Sequence, residues 1–152
     1  MERVTGTILV GRSFKPVRGQ VAVEDGQIQA IEEMETASTD IVLPSFVNAH
    51  THLGDSVAKD AAVGLSLDEA VAPPDSLKHR RLAAADRDEL VSAMRLTLRF
   101  MRRTGTVSTL DFRESGVAGA RALRDAAADT GVDPFVFGSG DASVLDVADG
   151  YG

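Results

Sequence analysis

Apolar and polar positions alternate over three short runs near the start of the chain, Val4 to Val10, Gly19 to Glu24 and Gln27 to Ile31. That period of two is the signature of strands with one face buried. Asp25-Gly26, between the last two runs, suits the positive backbone angles of a tight hairpin. Residues 1–43 are therefore predicted to form a small antiparallel β unit. From Pro44 the pattern changes to strand, helix, strand, helix, strand, the alternation of parallel βαβ units, so residues 44–152 read as α/β.

The first helix of this second part is well signed. Asp86 is placed to cap it, with Glu89 three residues on, and Leu90, Val91, Met94, Leu98 and Met101 recur at helical spacing before Gly105 stops it. Thr106 to Phe112 follows as a buried strand, Val117 to Thr130 as an alanine-rich helix closed by Gly131, and Pro134 to Phe137 as a third strand. The stretch from Gly54 to Ala85 is less regular. Leu65 to Ala70 could begin a short helix, but Pro73-Pro74 forbids its continuation, and the segment reads as a long loop over the site. No internal repeat is present.

Composition narrows the class of protein. The 152 residues, 43% hydrophobic, suffice for one ordinary core or parts of two. A formal charge of −7 without a basic stripe argues against nucleic acid as a partner. No apolar run approaches the roughly twenty residues of a membrane span, and the N-terminus lacks a signal-peptide pattern, so a cytoplasmic protein with no membrane partner is expected. Fifteen Asp against eight Glu, and thirteen Arg against three Lys, suggest an acidic, strongly hydrated surface of the kind found in salt-loving organisms, or a codon bias alone. With no cysteine, any metal here must be held by nitrogen and oxygen.

The chemistry is concentrated in His50-Thr51-His52. Two histidines two apart on a strand face the same way, and two imidazoles on one rigid backbone form half a site for a divalent transition ion such as zinc. A catalytic zinc usually keeps three protein ligands and one open position, so at least one more ligand is needed. His79, in the basic run Leu77 to Arg81, reads as a solvated surface residue and is left outside the site. Hydrogen-bonded core histidines are the plainer alternative for the pair. Asp111 could face the metal from its strand or bond to neighbouring backbone.

The segment Ile41-Val42-Leu43-Pro44-Ser45-Phe46-Val47-Asn48-Ala49-His50-Thr51-His52 resembles the first barrel strand of the amidohydrolase superfamily, in the branch of cytosine deaminase, chlorohydrolases and imidazolonepropionase. The preceding hairpins, with Asp25-Gly26-Gln27-Ile28, strengthen the match, which covers Met1 to about Asp141; Ser45 stands where glycine is usual. The resemblance implies an α/β fold in which the N-terminal β unit accompanies the first strands and helices of a (β/α)8 barrel. It implies that His50 and His52 ligate a divalent metal, zinc first and iron or manganese as alternatives, which lowers the pKa of water for attack on an electrophilic carbon. The expected reaction is hydrolysis of a C–N bond in a cyclic amide, amidine or amino-heterocycle, a small nitrogenous molecule. Active sites of such barrels lie where the strands end, which points to Asp55, Arg113 and Glu114 as substrate-binding residues.

The family takes further ligands and its proton-moving Asp from later strands, whereas this chain stops near the third. The sequence thus reads as an interrupted chain, a truncated product or partial one, with unpaired sheet edges and negligible hydrolase activity by itself. Self-association is compatible with such edges. The alternative function is a non-catalytic structural or interaction domain completed by another chain. Serine-type hydrolysis is disfavoured, because Gly138-Ser139-Gly140 lacks the spacing of a nucleophile elbow.

Overall fold

A computed structural model describes all of residues 1–152, which divide into two compact units, 1–45 and 46–152. In the first unit β1 (Glu2–Val10), β2 (Lys15–Glu24) and β3 (Gln27–Glu33) form an antiparallel meander, and β4 (Ile41–Val42) adds in parallel to β1, giving the order β3-β2-β1-β4. Asp25 and Gly26, at φ 51° and 73°, make the β2–β3 turn with both central residues left-handed. Ile8, Val21 and Ala22 are buried in this unit.

The second unit contains a parallel sheet of order β5-β6-β7-β8, from β5 (Phe46–Thr51), β6 (Thr106–Arg113), β7 (Asp133–Gly138) and β8 (Gly150–Tyr151). Ile41 to His52 is not one continuous strand. The segment breaks at Leu43-Pro44-Ser45, and Ile41 and Val42 pair instead with Thr7 and Ile8. Proline has no N–H to give to a ladder, which explains the interruption.

Helix α3 (Arg87–Arg103) begins where Asp86 accepts the Glu89 N–H at 2.9 Å, and its apolar face, Val91, Met94, Leu98 and Met101, is buried. Helix α4 (Gly116–Ala127) contributes Ala120, Ala122, Leu123 and Ala126 to the same core. The sheet meets them with the alternate residues Pro134 and Val136. Burying Leu98 or Leu123 completely is worth about 2–3 kcal/mol each. This layer of helices makes one side of the sheet rigid and leaves the strand ends to position the histidines.

Two expectations are corrected. Residues 54–85 are not a long loop: a 3-10 turn (Leu53–Ala58) leads to α1 (Leu67–Val71) and α2 (Leu77–Ala84). Ser66 and Glu69 form a reciprocal capping box at α1, so five residues hold a helical turn that Pro73-Pro74 then separates from α2. The chain also does not stop at the third strand of the parallel sheet. Asp141 caps a 3-10 turn over Ala142–Asp146 by accepting the Ser143 N–H at 2.8 Å, and Gly150–Tyr151 pairs with Phe137 and Gly138 as a fourth parallel strand.

Candidate metal centre

Strand β5 carries a bulge around the first histidine, and His52 follows its last residue. Asn48 pairs with Thr109 and Thr51 with Asp111, so three steps on β5 match two on β6. Asn48 and Thr51 thereby both join the helix-facing row of the sheet, and the rings of His50 and His52 take the other side. Asn48 Oδ1 accepts the His50 N–H at 3.3 Å within this irregularity. The Nε2 atoms of His50 and His52 converge to 3.2 Å, with ring centroids 5.1 Å apart.

Phe112 underlies the pair, its ring centroid 4.9 Å from His50 and 5.9 Å from His52, and it stacks on Phe137 at 5.3 Å. An apolar floor of this kind limits water access to the imidazoles from below and restricts their rotation. Phe112 was not among the residues singled out from sequence. Its parity along β6 relative to the histidines depends on the strand register and the bulge, neither of which is written in local composition.

The opposite row of β6 holds the strand ends in place. Asp111 is fully buried and accepts three hydrogen bonds or ion-pair contacts: Leu53 N–H at 2.6 Å, Thr51 Oγ1 at 3.0 Å and Arg113 at 3.3 Å. Burial pushes its carboxyl above the ordinary value, against the pull of Arg113, the Leu53 N–H and Thr51. Asp111 thus faces the helices and anchors the residues flanking His52; of the two roles open in the sequence, backbone bonding is the one its position supports.

Arg113 lies on the same helix-facing row and is only 4% exposed. Its guanidinium meets Asp111, Glu114 and the Met94 sulfur, and a Cβ on Gly54 would stand 2.2 Å from it, so a larger residue there would have to displace the guanidinium. These contacts give Arg113 a part in holding the strand end, and it lines a pocket together with Leu90, Met94, Glu114 and Gly119. Glu114, just beyond β6, stands on the histidine side: its Oε1 is 3.7 Å from His52 Nδ1 and 2.6 Å from Lys78 Nζ. Burial works to raise its carboxyl, but Lys78 and then Arg113 outweigh this and hold it below the ordinary carboxylate range.

Asp55, in the turn after β5, places Oδ2 3.2 Å from Lys78 Nζ. His79 donates or accepts at 2.7 Å with the buried Ser76 hydroxyl at the start of α2 and is not brought to the pair. Lys78, which meets both carboxylates, is the second side chain here that the sequence reading did not single out, hidden in a basic run that resembles a solvated face.

The donor set fits a metal half-site. Two imidazole nitrogens bound to one tetrahedral zinc at 2.0–2.1 Å lie about 3.3 Å apart, close to the spacing the two Nε2 atoms already have. No group of three or more His, Cys, Asp or Glu side chains is gathered to hold an ion without further donors.

Comparison with known proteins places these features in context. Residues 41–146 match the model of the amidohydrolase family. A protein of Methanothermobacter thermautotrophicus, provisionally named an aminohydrolase, is 38% identical over 140 residues, 88% of this chain and 36% of the relative. An adenine deaminase of Methanosarcina mazei is 33% identical over 57 residues, 38% of this chain and 10% of the relative. The fold is similar to that of atrazine chlorohydrolase from Arthrobacter aurescens TC1, solved in complex with zinc, with a TM-score of 0.65 and 16% identity over 91% of this chain and 36% of that one. The chain spans about a third of the length of the curated relatives that it matches over most of its own length. No helix is long and apolar enough to cross a membrane.

Proposed function

Since the chain belongs to the amidohydrolase family, we propose that it carries the first half of the metal site of a hydrolase acting on C–N bonds other than peptide bonds. The observation that carries this reading is the convergence of His50 Nε2 and His52 Nε2 to a chelating distance. A divalent ion, zinc first with iron or manganese as alternatives, supplies Lewis-acid chemistry that lets water ionise near neutral pH. The residues of this chain do the holding. His50 and His52 present Nε2 lone pairs, Phe112 fixes the plane beneath them, and Asp111 secures Leu53, the residue after the second ligand.

The substrate class we favour is a small cyclic amide, amidine or amino-substituted heterocycle, in keeping with the aminohydrolase and deaminase names of relatives. Asp55, Arg113 and Glu114 are assigned to the rim that a polar substrate meets, with Arg113 also holding Glu114. A second reading, an interaction module completed by further polypeptide, is favoured by the exposed Phe46 and Phe135 on the strands of the parallel sheet. Elemental analysis of the purified chain, beside a variant with His50→Ala and His52→Ala, separates the two. Metal uptake lost in the variant is expected. Absence of any ion, or uptake indifferent to the substitutions, would overturn the hydrolase reading. Ammonia release from a panel of cyclic amides, amidines and amino-heterocycles tests the reaction class in metal-loaded polypeptide that also carries the later barrel strands, since this chain by itself is expected to show negligible turnover.

A further inference from the structure

Lys78 occupies a position that its sequence context does not explain. Its side chain, 13% exposed, lies between Glu114 Oε1 at 2.6 Å and Asp55 Oδ2 at 3.2 Å. The three residues belong to different segments: Lys78 to α2, Asp55 to the turn after β5, and Glu114 to the end of β6. One ammonium therefore ties α2 to the two strand ends beside the histidine pair. Such a half-buried cation with two carboxylate partners is more than a solubilising surface lysine, whose charge would be worth little.

The two oxygens of Glu114 are divided between two cations. Oε2 is held by Arg113 from the helix-facing row, and Oε1 by Lys78 from α2. A carboxylate gripped at both oxygens cannot swing. Arg113 alone would draw it toward the buried layer; Lys78 pulls the other oxygen to the side of the sheet where the rings lie. Oε1, the atom that Lys78 holds, is the one 3.7 Å from His52 Nδ1.

A neutral imidazole carries its proton on one nitrogen and its lone pair on the other, and an acceptor beside Nδ1 favours the proton there. The Nε2 lone pair is then free for a metal; at 3.7 Å the carboxylate acts on the ring through its charge rather than through a direct hydrogen bond. We propose that Lys78 is a positioning residue of the metal centre: by fixing the Glu114 carboxylate beside His52, it keeps that ring in the tautomer that presents Nε2 toward His50. This rests on the reading of the two histidines as ligands. It assigns Lys78 no contact with substrate, and it assigns α2 a part in building the site.

The test uses the full 152-residue chain with Lys78→Met, Lys78→Arg and Glu114→Gln. The first readout is the ring nitrogen shifts of His52 in metal-free protein at alkaline pH; the second is zinc affinity by competition with a coloured chelator. In the parent, His52 is expected with its proton on Nδ1. K78M should move it toward a mixture of tautomers and weaken zinc binding about tenfold, the scale seen when partners of metal-binding histidines are removed. K78R should retain both properties better than K78M. E114Q, which keeps the side chain's shape, should reproduce the tautomer change and serves if K78M does not fold.

Zinc uptake lost with His50→Ala and His52→Ala but unaltered in K78M, with an unchanged His52 tautomer, would overturn the proposal alone. If K78M does not fold, an E114Q protein with the parent tautomer overturns it. Zinc uptake that survives loss of both histidines would remove the underlying metal reading, and the proposal with it.

Discussion

Asp111 and Leu53 are 58 residues apart in sequence and joined by a 2.6 Å hydrogen bond, with the Leu53 N–H donating to Asp111 Oδ2. The bond crosses from β6 to the residue that follows His52, so the position of a proposed metal ligand depends on a carboxylate that faces away from the metal. Asp111→Asn preserves shape but removes the charge that balances buried Arg113 and one acceptor oxygen. Loss of about 2–4 kcal/mol in urea unfolding is expected, with weaker zinc binding in parallel. An unfolding midpoint equal to that of the parent would show that Asp111 is not the anchor.

Gly119 in α4 approaches the chain so closely that an added Cβ would lie 1.9 Å from the Glu114 carbonyl oxygen. Backbone cannot rotate aside as a side chain can, so Gly119→Ala must shift either the start of α4 or Glu114 itself. Destabilisation of about 1–3 kcal/mol is expected by calorimetry or urea. The His52 ring signals should move with it, because Glu114 is the carboxylate beside that ring.

Stability should fall at both ends of the pH scale through the Lys78–Glu114 contact. Glu114 is held below its ordinary 4.5, so its contribution is present above that value and is lost as pH falls through the folded-state pKa. For Lys78 burial opposes the charge, but Glu114 and then Asp55 outweigh it and raise the ammonium above its ordinary 10.5. Its contribution is present below that value and is lost as pH rises through the folded-state pKa. Asp111 acts with the opposite sign, since burial raises its carboxyl and ionisation costs stability above 3.8. The difference between parent and K78M in urea midpoints against pH cancels Asp111 and should show both wings; a difference independent of pH would count against the ion contact.

Leu98 and Leu96 lie in the same helix, one fully buried and the other 72% exposed. Leu98→Ala should cost about 2–5 kcal/mol through a cavity between α3, α4 and the parallel sheet. Leu96→Ala should change stability by less than about 0.5 kcal/mol. Equal effects would mean that α3 does not pack on the sheet by the Val91, Met94, Leu98 and Met101 face.

Local signals carried much of this into the sequence. Asp25-Gly26 forms the left-handed turn expected of it, Asp86 caps α3, and His50 and His52 converge. What escaped was set by long-range pairing. Whether Asp111, Phe112 or Arg113 faces the histidines depends on register and on the β5 bulge, so the role of Asp111 stayed open and Phe112 was not singled out. Lys78 escaped because its partners come from the ends of β5 and β6, far along the chain. In residues 54–85 the paired prolines look like a helix terminator, yet they separate two short helices that each have a serine at the start.

The extra residue in β5 has a consequence for how this end of the strand is encoded. Between Asn48 and Thr51 the extra residue shifts the alternation by one, so that these two residues, three apart, share one row and the imidazoles take the open side. An uninterrupted alternation through the same residues would put Asn48 and Thr51 on opposite faces and turn the imidazoles to the face that Asn48 occupies. Spacing therefore decides the direction of the imidazoles as much as the histidines' identity decides their chemistry.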